Sequence, residues 1–322
     1  MFIGLAAIVT VVVERGARVV FQALLLGGWQ LGVLVPLHAL PLLPDASSWR
    51  SLIDGPRRIS RLYWIAWIRQ AVGRLMPVAG IGGELVGIRL LVQTGVEPAR
   101  AVASVVVEVF TTLVGQFLFV IVGLICALQL TSAKSFEKGM LLGLGACLPV
   151  MALSWMLLRR GLIFGRLHRI AMGLIGREPG LASFETSDAI DAAIIALCNS
   201  PGRLTISTAL QLLGMLLGCL EIWAAFNILG AHVSMLNALI VESLNQTAKH
   251  VIFFIPGALG VQELTFMAIS PVIGVNVDVA LAASLAKRAV DIVFGVPSLI
   301  SWQWAEGRRW AGNLRHKGGS RC

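Results

Sequence analysis

Charge is scarce in this chain. Of its 322 residues only 13% are Asp, Glu, Lys or Arg, against about 25% in ordinary soluble domains. Chemistry-bearing motifs are scarcer still. The five cysteines, Cys126, Cys147, Cys198, Cys219 and Cys322, form no CxxC pair. Four of them lie in or beside apolar runs, where a free thiol serves as a small apolar residue. The five histidines show no HExxH spacing, so neither a metal site nor a cofactor is expected. No ATPase motif occurs, and no DD or DxD acid pair of the kind a polyprenyl-linked transferase needs. Tyrosine occurs once. Without basic-aromatic interleaving, the net charge of +9 and pI of about 10.1 do not point to nucleic acid.

What the chain has instead is apolar surface. Hydrophobic residues make up 57% of it and the mean hydropathy is +0.83. A bilayer is the natural place for so much. Apolar segments fall at 2–13, 19–43, 62–78, 81–94, 101–130, 139–158, 206–230, 235–255, 259–274 and 279–304. The first would be about 18 Å long as a helix, short for a span, and is preceded by no basic stretch of a signal peptide. Either it thins the bilayer or the true start lies upstream. Basic clusters at 50–61, 159–203 and 308–321 face the cytoplasm by the positive-inside rule, as do both termini. Arg15 and Arg18 run against that scheme. The expectation is a multi-pass protein of the bacterial inner membrane, a single integral domain over 1–322. Within 159–205, Asp188, Asp191, Ile190, Ile194, Ile195 and Leu197 recur at helical spacing and predict a cytoplasmic amphipathic helix near the membrane surface.

The sequence also repeats itself. Pro77-Val-Ala-Gly-Ile-Gly-Gly-Glu84-Leu85 aligns with Pro256-Gly-Ala-Leu-Gly-Val-Gln-Glu263-Leu264, and the same register continues to Gly95 and Gly274. Each unit reads as a broken apolar hairpin followed by a long span, with repeat one near 19–130 and repeat two near 198–304. The first hairpin starts from the basic, cytoplasmic side and the second from the other side. That is an inverted-topology repeat. The expected fold is therefore all-α: a polytopic bundle of about six full spans plus two broken, re-entrant hairpins. Two full but short spans per hairpin would give the same topology.

Ionisable residues inside apolar segments are costly, at about 2.5–3.5 kcal/mol each at a helix centre, and they gather in the two repeats. The first holds Arg69, Arg74, Glu84, Arg89 and Glu108; the second holds Glu242, Lys249, His250, Glu263, Lys287, Arg288 and Asp291. Ser104, Glu108, Thr111, Thr112 and Gly115 share one helix face, and Ala283, Lys287, Asp291 and Gly295 share another. These residues are candidates for binding a substrate, and equally for ion pairs that lock the bundle. Glu84 and Glu263 open the return arms, where an acid caps a helix.

The segments Arg69-Gln-Ala-Val-Gly-Arg74-Leu-Met-Pro77-Val-Ala-Gly-Ile-Gly-Gly-Glu84, Phe254-Ile-Pro256-Gly-Ala-Leu-Gly260-Val-Gln-Glu263 and Ser284-Leu-Ala-Lys-Arg288 resemble the transmembrane region of lysylphosphatidylglycerol synthases. That group includes free-standing, flippase-like membrane proteins. The hopanoid-biosynthesis branch looks closest, around Trp29, His38 and Trp49. The resemblance covers nearly the whole chain. In full-length relatives a C-terminal soluble domain makes the lipid and the membrane region moves it. Here the sequence runs to Cys322 soon after the last apolar segment, so the resemblance implies translocation rather than synthesis. The expected substrate-binding set is Arg69, Arg74, Glu84, Arg89, Glu108, Lys249, Glu263, Lys287, Arg288 and Asp291, handling an anionic or isoprenoid-type lipid. Partners would be membrane lipids and lipid-biosynthesis enzymes. The alternatives are a membrane-embedded lipid-modifying transferase and a non-transporting assembly factor that docks through 183–198.

The charge distribution makes a topological prediction. With single cysteines placed at Ser135 and Ser183 in a cysteine-free background, an impermeant thiol reagent applied to intact cells should label position 135 and spare 183. The reverse labelling would contradict the inverted repeat.

Overall fold

The computed structural model describes residues 27–55, 57–76, 82–127, 151–160, 184–251 and 260–318, with isolated positions at Leu25, Gly145, Leu148 and Pro149. The fold is all-α, with no strand among the described residues. A 3-10 turn at Gly28–Val33 runs into α1 (Leu34–Ala39), followed by α2 (Leu42–Leu52), α3 (Ile59–Leu75), α4 (Gly82–Val92) and α5 (Pro98–Ala127). After the helical stretch 151–160 come α6 (Phe184–Cys198), α7 (Pro201–Ile228), α8 (Met235–Val251), α9 (Val261–Ile269) and α10 (Val277–Gly318).

Local signals set several of these boundaries. Helices α5 and α7 each begin with proline, whose missing N–H costs nothing in a first turn. Gly95 and Gly274 sit at φ +87° and +71° in the turns that lead into α5 and α10, a conformation that glycine adopts without penalty. The expected apolar span 19–43 is not one helix over its described part: it breaks at Leu40–Pro41 between α1 and α2. Pro77 and Pro256, read as the hairpin breaks, fall between α3 and α4 and between α8 and α9 in sequence, outside the described residues.

The internal repeat recurs in the elements. The starts of α4 and α9 (Gly82 and Val261), the starts of α5 and α10 (Pro98 and Val277), and the two positive-φ glycines (Gly95 and Gly274) are each 179 positions apart. The return helices are short, 11 residues in α4 and 9 in α9, or about 16 and 14 Å. That is well below the roughly 30 Å of a hydrocarbon core. The units exchange partners: α3 of the first packs on α10 of the second, and α8 of the second packs on α5 of the first. Small residues allow the close approach. A Cβ added to Gly123 would collide with Ser243 Oγ, and one added to Gly295 would lie 2.6 Å from Leu75 Cδ1. Tight packing of this kind is what holds helices together in lipid, where apolar burial gives them no preference for each other.

Among the described residues, two helices, α5 and α7, are long and apolar enough to cross a membrane. Large apolar side chains such as Leu118, Ile125, Leu213 and Trp223 remain exposed along them, as lipid-facing positions are. The amphipathic helix forms as α6. It lays Ile190, Ile194, Leu197 and Cys198 on Ala99, Ala103 and Val107 of α5, so its apolar face is occupied by protein.

Candidate functional site

A half-open cavity of about 350 Å³, lined by many polar side chains, lies within the bundle. Its walls come from both units: His38 of α1, Asp45 of α2, Arg69, Gln70 and Arg74 of α3, Glu84 of α4, Thr112 and Gln116 of α5, Gln211, Gly214 and Glu221 of α7, Glu242 and Gln246 of α8, and Lys287 of α10. In a span, charged side chains at this depth need partners, and here they have them.

One cluster is built around Arg69. Its guanidinium donates to Glu84 Oε2 and Glu108 Oε2, both at 2.8 Å. It lies 4.7 Å over the ring of Trp49, whose indole N–H donates to Ser104 Oγ at 3.1 Å. Helix α4 makes room for it with glycines. A Cβ on Gly83 would lie 2.5 Å from the Arg69 carbonyl oxygen, and one on Gly87 would lie 2.5 Å from its Cδ. The Gly-Gly-Glu sequence therefore supplies both the seat for the arginine and one of its counter-charges.

The second cluster joins five helices. Lys287 lies 3.3 Å from Glu221 and 3.5 Å from Glu242. Arg74 pairs with Asp291. His38 sits between the two pairs, 3.0 Å from Glu221 Oε2 through Nδ1 and 3.1 Å from Arg74 Nη1 through Nε2. The Gln70 amide oxygen accepts from Arg74 Nη2 at 2.8 Å. Equivalent positions in the two units carry opposite charge: Glu108 meets an arginine, whereas Lys287, 179 positions on, meets two acids.

Of the candidate binding residues, Arg69, Arg74, Glu84 and Lys287 line the cavity, and Glu108 and Asp291 stand directly behind as their partners. The others do not line it, although Lys249 stands within electrostatic reach of Asp291 and Glu242. Arg89 is 62% exposed and pairs with Glu306. Lys249 donates to Gln262 Oε1 at 2.6 Å. Arg288 pairs with Glu263 at 2.9 Å, and Glu263 also accepts from the Gly260 N–H at 3.0 Å, capping α9 as an acid at that position should. The repeat is kept here too: Glu84 and Glu263 each turn inward to an arginine, while the following Leu85 and Leu264 are both exposed.

The sequence reading missed His38, Asp45, Glu221 and Gln116 as parts of a site. Gln116 is the most telling. It is buried and lines the cavity, yet neither its amide nitrogen nor its oxygen has a partner. One oxygen of Glu108 and one of Glu221 are likewise buried without a partner. A buried polar group left unmatched costs about 1–3 kcal/mol. At Gln116 this unmet capacity lies on the cavity wall, where polar groups from outside the protein can reach it.

A second cavity of about 470 Å³ lies on the other side of the α5–α7 seam. It is apolar, lined by Phe110, Val114, Leu118, Trp155, Leu204 and Leu212 among others. Hydrogen bonds of Ser207 with Ser48 (2.8 Å) and Thr111 (2.7 Å) tie the seam together.

A helical bundle with charges paired in its interior, short return helices and two helices able to cross a bilayer is the architecture of an integral membrane protein. The chain belongs to the family described as lysylphosphatidylglycerol synthase TM region, which it matches over residues 2–298. That membership makes it a membrane protein associated with lipid metabolism. No curated protein and no solved structure matches it.

The Lys287 cluster makes a stability prediction. Lys287→Met leaves Glu221 and Glu242 facing each other without their shared cation. It should destabilise the protein by about 3–5 kcal/mol, read as a lower melting temperature in detergent. Adding Glu221→Gln should recover much of the loss. A Lys287→Met protein as stable as the wild type would show that the pairs contribute nothing to the bundle.

Proposed function

We propose that this protein moves a polar-headed lipid between bilayer leaflets, with the headgroup passing through the polar cavity and the chains remaining in the apolar surroundings. The observation that carries this reading is Gln116, buried on the cavity wall with both amide atoms unmatched. A headgroup bearing donors and acceptors can satisfy such a group. The apolar cavity beyond the α5–α7 seam is suited to a lipid chain, and family membership supplies the connection to lipid metabolism.

The pairing of the units supports an inverted repeat, in which α3–α4 and α8–α9 enter the bundle from opposite sides of the membrane and rock against each other around the cavity. In this scheme the chain is a single membrane domain in the bacterial inner membrane. The cations first assigned to an anionic headgroup stand in ion pairs, so a phosphate enters by replacing a carboxylate rather than by meeting a bare arginine. A phospholipid or an isoprenoid-type lipid of the hopanoid branch is the cargo that this reading favours.

The test uses purified full-length protein in vesicles that carry a fluorescent phosphatidylglycerol, with the two leaflets distinguished by an impermeant quencher. The wild type should equilibrate the label. Gln116→Leu should slow it about tenfold, the equivalent of one lost hydrogen bond of roughly 1.4 kcal/mol. Its melting temperature should hold or rise, because an unmatched amide has been removed. Unchanged transport in Gln116→Leu would remove the cavity from the path.

A further inference from the structure

His38 occupies a position that the lipid-translocation reading leaves unused. It is 3% exposed and packs edge-on against Phe294, ring centroids 5.2 Å apart. Its two ring nitrogens touch different halves of the charge network. Arginine can only donate, so the Arg74 Nη1–H donates to Nε2, and the ring proton sits on Nδ1 and is donated to Glu221. The imidazole is therefore neutral in this arrangement. The Nε2 atom also lies 3.5 Å from Asp291 Oδ1, the carboxylate that holds Arg74. Arg74 Nη1 and His38 Nε2 thus approach the same carboxylate oxygen.

The charges around the ring come from every side. Glu221 faces it from α7, Asp291 and Lys287 stand on α10, and Arg74 reaches in from α3. Asp45 of α2 and Glu242 of α8 line the same cavity. The 3-10 turn Gly28–Val33, which also packs on α1, contributes no titratable group. Lys249 of α8 also stands within electrostatic reach of Asp291 and Arg74.

We propose that His38 is a proton-binding site coupled to lipid phosphate, an inference that rests on the translocator reading. A proton from the water-accessible cavity adds to Nε2. The new N–H turns to Asp291, the hydrogen bond from Arg74 is lost, and the imidazolium repels the guanidinium. Arg74, already 37% exposed, swings into the cavity with its fork free for a phosphodiester. When the lipid leaves, Arg74 returns to Asp291 and His38 Nε2 gives its proton back to water. One proton is bound for each phosphate held, so the proton gradient acts on lipid movement through this residue.

Binding of short-chain phosphatidylglycerol to the purified full-length protein tests this, because its phosphodiester does not itself titrate near neutrality. Titration calorimetry in buffers of different ionisation enthalpy counts the protons taken up. For the wild type, uptake should approach one proton per lipid, and affinity should fall as pH rises, by up to about tenfold per unit. His38→Gln should bind with no proton uptake and no pH dependence. Asp291→Asn, which cancels the charge that competes for Arg74, should bind at pH 8 as tightly as the wild type does at pH 6. Phosphatidylglycerol binding by the wild type without proton uptake, or pH dependence that survives in His38→Gln, would overturn the proposal and leave the translocator reading standing. Equal affinity for inorganic sulfate would overturn the assignment to a lipid, and absence of binding at any pH would overturn both readings.

Discussion

Everything in this structure depends on one constraint: charge carried into a low-dielectric interior must be neutralised there. An isolated ion in such surroundings costs far more than any single packing contact returns. The chain meets the constraint by bringing acids and bases together from different helices. Arg69 on α3 is held by Glu84 on α4 and Glu108 on α5; Lys287 on α10 is held by Glu221 on α7 and Glu242 on α8. No helix satisfies its own charges in these clusters, so the helices cannot be arranged in any other order without stranding an ion. The charges fix the arrangement, and glycines at 83, 87, 123 and 295 allow the helices to come close enough to reach it.

The same constraint explains how a polar cavity survives in the bundle. Two paired clusters form its opposing walls, and the pairs can exchange partners without exposing a bare charge to lipid. Under the proposed function, a headgroup that enters meets an interior already balanced and is recognised through exchange, an oxyanion for a carboxylate or a donor for an unmatched oxygen. This differs from a static basic patch, which would hold an anion too tightly to release it. Asymmetry between the units follows as well. Equivalent positions on α5 and α10 carry Glu108 and Lys287, so the two halves share a backbone plan and divide the charge between them.

Much of the plan was legible in the sequence because it rests on residues whose effects are local. The shared Glu-Leu pair and the glycines at 95 and 274 mark helix starts and turns through local effects, and those boundaries recur in the structure at the same spacing. Rare charges in apolar runs were equally conspicuous, and Arg69, Arg74, Glu84 and Lys287 do meet at one cavity. What could not be read was which face of each helix turns toward which neighbour. Arg89 shares its short helix with Glu84 yet leaves the cavity for Glu306 near the surface. Glu221 and His38 lie in segments that read as plain spans, and only long-range packing between α1 and α7 makes them partners. Gln116 gave no signal at all, because an uncharged amide in an apolar helix is unremarkable until its lack of partners is seen. The break between α1 and α2 was hidden for a related reason: Pro41 lies inside an apolar run whose composition suits a continuous span.

The central claim is that a lipid headgroup enters the cavity bounded by α3, α5, α7 and α10. A phosphatidylglycerol analogue with a photoreactive group on its headgroup, irradiated with the purified protein in vesicles, tests this most directly when the attachment sites are mapped by peptide mass spectrometry. Attachment at cavity residues such as Thr112 and Met215 is the predicted result. Attachment confined to outward-facing positions on the same helices, such as Ile125 and Leu213, would contradict it.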